Sequence, residues 1–200
     1  MPLTRIVPQM IRQATGRLLG RSSAGAGVAE EIEVGDGLEF AAGILSATIS
    51  ADTAKSSTSG VSVDFTDIPP WAKRVTVILD GVSTNGSIAP TIQLGDAGGI
   101  ENSSYSGSVW TPAGAANFST AFNLFVNSGW NSSGVIHGVI TFCNLVGNTW
   151  ACSGTVGASN AATAGFIGGA KTLSDTLTQI RLTMDGADTF DAGTINVFWE

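Results

Sequence analysis

A chain of 200 residues with 43% hydrophobic residues, 26 glycines and only 12% charged residues can bury one sizeable core, and it is too apolar to stay disordered. Its net charge of -7 is unevenly placed: Arg5, Arg12, Arg17 and Arg21 all precede the first acid, Glu30, so 16 carboxylates then face five basic groups. That balance excludes binding to a phosphate backbone, and hence nucleic acid, as the task of the main domain. No run approaches the roughly 18 apolar residues of a spanning helix, which argues against membrane insertion.

In residues 1–21 the apolar side chains Leu3, Ile6, Val7, Met10, Ile11, Ala14, Leu18 and Leu19 recur at three and four residues. With Pro8 at a first-turn position and Gly20 as a stop, they predict a short amphipathic helix from Pro8 to about Leu19. Three turns are marginal alone, so its stripe (Ile6, Val7, Met10, Ile11, Leu18, Leu19) needs a partner: symmetry mates, a docking protein or its own domain. Residues 22 to about 31 read as a flexible small-residue spacer. Ile32 to Val34 and Leu38 to Phe40 are strand-like runs about Gly35-Asp-Gly37, and Ile44 to Ile49 is a third. Strands so short and so rich in glycine gain contacts if three chains interleave, which would turn Ile32, Val34, Leu38, Phe40, Ile44 and Leu45 toward partner subunits.

Leu18-Leu-Gly-Arg21, a small-residue spacer, Glu30-Glu-Ile32, Gly35-Asp-Gly-Leu38 and the return Gly43-Ile-Leu-Ser46 together resemble the linker and shaft segments of tailed-bacteriophage fibre proteins. The resemblance implies a homotrimer attached through its N-terminus to other virion proteins. It also implies a protein made in the cytoplasm of the bacterial host and carried on the virion surface, at either the tail or the head.

Ala51 to Ser59 is a second Ser/Thr/Ala spacer, and the domain boundary is expected there, so that 22–59 is linker and shaft and 60–200 is the distal domain. From Gly60 onward the signals are those of antiparallel strands: Val61 to Phe65, Arg74 to Leu79, Thr91 to Leu94, Ser119 to Phe125, Val135 to Cys143, Thr149 to Val156, Ala164 to Ile167, Thr178 to Met184 and Thr194 to Trp199. Asp80-Gly81, Asn85-Gly86 and Gly147-Asn148 read as turns. Strands at this spacing predict an all-β, jelly-roll-like β-sandwich with Arg74 to Leu79 central. The run Asp80 to Gly86, followed by Ile92-Gln-Leu-Gly-Asp96 and Gly98-Gly-Ile-Glu101, resembles the distal domain of phage and prophage structural proteins. That resemblance carries no assigned activity.

Chemistry has little to work with. His137 is the one histidine, alternates with Val139 on an expected strand, and reads as a core or interface residue. No Gly-x-Ser-x-Gly, phosphate-binding loop or His-Glu-x-x-His is present, so no enzyme and no cofactor are expected. Asp185, Asp188 and Asp191 recur every third residue in a loop-like stretch and could hold calcium, although aspartates also cap turns through their own backbone. If Gly147-Asn148 is a two-residue turn, Cys143 and Cys152 face each other across the hairpin. Two reduced thiols are the simpler expectation.

Trp71, Trp150 and Trp199 read as core. Tyr105, Trp110 and Trp130 sit among Ser, Asn, Gly and Pro, where they are either sugar-stacking platforms or loop aromatics pinned into the sandwich or between subunits. The sequence therefore reads as a short homotrimeric fibre or spike displaying a β-sandwich, with host-surface glycan as the outward partner. A capsid decoration or cement protein without a receptor role and a free-standing lectin-like module are the alternatives, and a small hydrolase is a third.

Overall fold

Apolar and polar residues that alternate between glycine-rich turns can bury every second side chain only if the backbone is extended. A computed structural model describes residues 14–35 and 37–200, and its regular elements are β-strands joined by turns, with a 3-10 turn at Asn127–Gly129. The chain divides into two units, one ending at Thr48 and the other spanning Ile49–Glu200.

In the first unit β1 (Arg17–Gly20) pairs antiparallel with β2 (Glu30–Glu33), and β3 (Leu38–Ala41) with β4 (Ile44–Ala47). The helix expected to continue to about Leu19 does not do so. Leu18 and Leu19 lie in β1 opposite Ile32 and Glu31, where β2 satisfies their backbone across a ladder. The remaining stripe residues Ile6, Val7, Met10 and Ile11 lie outside the described residues. The spacer after Arg21 is also more ordered than its composition suggests. The Arg21 guanidinium donates to the carbonyls of Gly25 (2.8 Å), Ala24 (3.1 Å) and Val28 (3.3 Å), so the loop wraps a cation. Glu30 accepts from the amide and hydroxyl of Ser22 and from the hydroxyl of Ser23 at the loop's end. Ala42 and Gly43, at φ 50° and 81°, make the tight turn between β3 and β4.

The second unit contains β5 (Ser50–Ala51), β6 (Lys55–Ser56), β7 (Ser62–Phe65), β8 (Arg74–Thr84), β9 (Pro90–Asp96), β10 (Gly99–Ile100), β11 (Tyr105–Thr111), β12 (Gly114–Phe118) and β13 (Phe122–Asn123). It continues with β14 (Ile136–Val146), β15 (Thr149–Ala158), β16 (Thr163–Thr172), β17 (Gln179–Met184) and β18 (Phe190–Trp199). The larger sheet runs β12-β11-β16-β15-β14-β8-β18, with β5 and β6 on the far side of β18, and the smaller runs β10-β9-β17-β7, with β13 also on β9. One hydrophobic core holds inward residues of both, among them Val75, Ile140 and Val197 from the larger and Ile92, Leu182 and Phe65 from the smaller. This is the arrangement of a β-sandwich.

Three sequence expectations change here. The boundary falls at Thr48 and not near Ser59, because β5 and β6 pair with β18 and Ser57, fully buried, donates its hydroxyl to the Ala192 carbonyl. Asp80-Gly81 is not a turn. Both β14 and β18 supply ladder partners there, so the strand continues through a bulge, with Gly81 at φ 68° and the register slipping on each side. The segment Tyr105–Phe118, expected as loop, is the hairpin β11–β12.

Phe122 is the hub of the core: its ring meets Tyr105 at 5.0 Å, Phe118 at 5.5 Å and Phe142 at 5.3 Å between centroids. Gly107 and Gly169 pair across β11 and β16 directly beneath Phe118. A Cβ at either would stand 2.6 or 2.8 Å from the Phe118 ring, so only glycine leaves room for it.

Candidate functional site

The three aromatics expected on loops separate completely. Tyr105 and Trp130 are each 4% exposed and Trp110 is 52% exposed. Tyr105 points inward from β11, and its hydroxyl accepts from the Leu94 amide (2.8 Å) and donates to the Glu101 carbonyl (2.8 Å), which ties the larger sheet to β9. Burial pushes its phenol well above the ordinary value. Trp130 packs on Phe125 at 5.0 Å and donates its indole N–H to Thr84 Oγ1 at 3.1 Å. Neither can stack on a sugar, because both rings are buried and their polar tips are already bonded. Trp150 is buried as expected, and Trp71 and Trp199 are half-buried.

Trp110 lies on the outer face of the larger sheet, directly opposite Phe166 of β16, with ring centroids 5.6 Å apart and Phe166 49% exposed. The register continues the row from Phe166 to Thr155, Val139, Ile78 and Asn196 across four more strands. Val139 and Ile78 are exposed, and no charged residue interrupts the row. Phe166 escapes sequence reasoning because its partner is set by strand order, not by spacing along the chain.

The aspartates do not converge. Asp191 accepts from the Ser83 hydroxyl, Asp188 accepts from the Ile88 amide at 2.8 Å, and Asp185 is exposed. Two of the three thus brace the ends of separate segments, and among the described residues no group of three or more acids, histidines or cysteines is placed to hold a metal. His137 is exposed and not in the core: its Nδ1 lies 2.9 Å from Asp80 Oδ1 and accepts from the Gly81 amide at 3.3 Å, which fastens the bulge.

The cysteines do not face each other. A bulge at Leu145 shifts the β14–β15 register by one, pairing Cys143 with Ala151 and Cys152 with Phe142. A shift of one residue places the two thiols on opposite faces. Both are free; Cys143 is exposed, and Cys152 is buried with its thiol pushed up to about 12 by desolvation.

A charged cluster missed by sequence reasoning joins the two sheets. Lys171, 3% exposed on β16, donates to the Glu101 carboxylate and to the Thr172 carbonyl (3.0 Å). Glu101 and Asp96 then share the Ser174 hydroxyl, each at 2.7 Å. Desolvation works to raise the Glu101 carboxyl, but Lys171 and Ser174 outweigh it and hold the group below its ordinary value. Asp96 is lowered by Ser174 and by the Gly98 amide. With every polar atom partnered and the lysine enclosed, the cluster is a clasp with no access for a substrate.

A polar concavity lies on the outer face of the smaller sheet. Thr91 and Gln93 of β9, Asn123 of β13 and Thr183 of β17 form its floor, with Asn102, Asn127 and Asp185 among its walls, around a cavity of about 290 Å³. Thr91, Gln93, Asn123 and Thr183 read in sequence only as the polar half of an alternating pattern, Asn102 and Asn127 fall between the expected strands, and Asp185 reads as a calcium candidate. Which of them line a hollow depends on how loops 101–104 and 126–130 fold over the sheet.

No protein family matches the chain, and comparisons with curated proteins and with solved structures return no similar protein. Among the described residues no helix is long and apolar enough to cross a membrane.

Proposed function

We propose that this chain is a structural component of a tailed-phage virion: a short homotrimeric fibre or spike, attached through its N-terminal segment and displaying the β-sandwich outward for contact with host-surface glycan. The observation that carries the reading is the contrast in cover between the two units. The sandwich encloses its own core, whereas Leu38, Phe40, Ile44 and Leu45 on β3 and β4 are 46%, 41%, 66% and 41% exposed. A two-stranded hairpin of four-residue strands is at best marginal alone in water. The register puts Leu38, Phe40 and Leu45 on one face of the hairpin and Ile44 on the other, so three interleaved copies would give both faces cover, as the resemblance of Leu18 to Ser46 to fibre shafts implies. The jelly-roll-like description of the sandwich is supported by its pairs distant in sequence, β8–β18 and β9–β17.

The test is the mass of the full chain in solution. Mass photometry at micromolar concentration should find three 20.3-kDa chains in one particle, and removal of residues 1–48 should leave a folded monomer. A stable full-length monomer would overturn the reading. The burial of Tyr105 and Trp130 favours a second reading, a decoration or cement protein without a receptor role, since it removes two of three expected stacking platforms. That reading predicts the same trimer and no affinity for glycans.

A further inference from the structure

We infer that the cavity on the outer face of the smaller sheet binds a neutral saccharide, one sugar unit at a time; the inference deepens the outward-displayed reading above and rests on it. The hollow, about 290 Å³, stands at the lower end of small-ligand sites and suits a single ring with its substituents. Its lining is the argument. Among the described residues the side-chain amides of Asn102 and Asn123 and the carboxylate of Asp185 make no hydrogen bond to the protein, although all three border the cavity. Asn127 accepts from the Ala89 amide at 3.0 Å through Oδ1, which leaves its NH2 uncommitted, and Gln93 donates to the Thr120 carbonyl at 3.3 Å, which leaves its Oε1.

Amides present a donor and an acceptor side by side, and a carboxylate accepts from two hydroxyls; together they match the paired donor and acceptor character of vicinal hydroxyl groups. Charge decides against anions. Among the described residues no lysine or arginine lines the cavity, and Arg181, opposite Gln93 in the β17–β9 register, is held by both Asp64 oxygens at 2.6 and 2.8 Å. A phosphate or an acidic sugar would meet Asp185 without a compensating cation. Ile88 and Ala89 provide the small apolar edge that the C–H side of a ring requires. Three paired strands hold the floor residues, so the arrangement is built before any ligand arrives.

The experiment presents the full chain to an array of neutral and acidic bacterial oligosaccharides, followed by calorimetric titration with the best neutral binder. Asp185→Asn and Asn123→Ala should each weaken binding at least tenfold without moving the urea midpoint, and Trp110→Ala should leave it unchanged. Binding confined to acidic glycans, binding insensitive to both cavity variants, or binding lost only in Trp110→Ala would each overturn the inference, the last moving the ligand to the larger sheet. An intact trimer that binds no glycan overturns the inference and leaves the structural reading standing. A monomer that binds through Asp185 and Asn123 keeps the site and removes the fibre.

Discussion

The two units are written in the same residue alphabet and differ in what covers their apolar side chains. In β3 and β4 every residue is exposed, including Leu38, Phe40, Ile44 and Leu45. In β8 and β17 alternate residues are buried, because a second sheet lies over one face of each. The pattern of a strand therefore states which side chains need cover, and only a second layer states whether one chain provides it. Such uncovered hairpins are where association has the most to gain.

The largest expected effect breaks the sandwich side of this contrast. Phe122→Ala removes a ring that touches three others in a site with no exposure, and should cost about 3–5 kcal/mol in urea unfolding of the full chain. A loss under 1 kcal/mol would mean that the core relaxes around the hole.

Lys171→Met should follow at about 3 kcal/mol near pH 7, because Glu101 would remain enclosed without its cation. This effect has a pH signature. Asp96 and Glu101 are held below their ordinary values, so their contribution is complete above the unfolded carboxylate range near pH 4 and fades as pH falls through the folded values. In Lys171→Met the unpaired Glu101 gains by taking up a proton, so the difference from wild type should shrink on acidification from pH 7 to pH 4. A difference that stays constant with pH would reduce the clasp to packing.

The smallest effect on the fold sharpens the other side. Ile44→Ser, at a residue 66% exposed, should shift the sandwich's unfolding by less than about 0.5 kcal/mol. If the hairpins are intersubunit surface, the same substitution should lower the trimer fraction in mass photometry. An unchanged trimer would locate the contact elsewhere, with the uncharged row from Trp110 to Ile78 as the next surface to test.

Much of the sandwich was legible because alternation is a local signal. Val75 to Leu79, Ile180 to Met184 and Ile195 to Val197 bury every second side chain as their sequences suggest. The hairpin β11–β12 was not legible, because Ser106, Gly107 and Ser108 carry little strand preference and are held by the neighbouring β16 instead. Of the candidate glycan residues only Trp110 was placed on the surface. Tyr105 and Trp130, set among the same polar neighbours, turn inward to Leu94 and Thr84.

By itself the sequence determined an all-β distal domain, the positions of most long strands, the acidic balance after Arg21 and the apolar runs between Leu18 and Leu45, since each depends on residues a few positions apart. Tertiary structure alone decided that Asp80-Gly81 is a bulge, that Cys143 and Cys152 look opposite ways, that Lys171 is enclosed by Glu101, and that Asn102, Asn123 and Asp185 border one hollow. Each of these rests on which strands become neighbours. That choice is made by burying the whole core at once, and a single residue of register slip reverses the face of every side chain that follows.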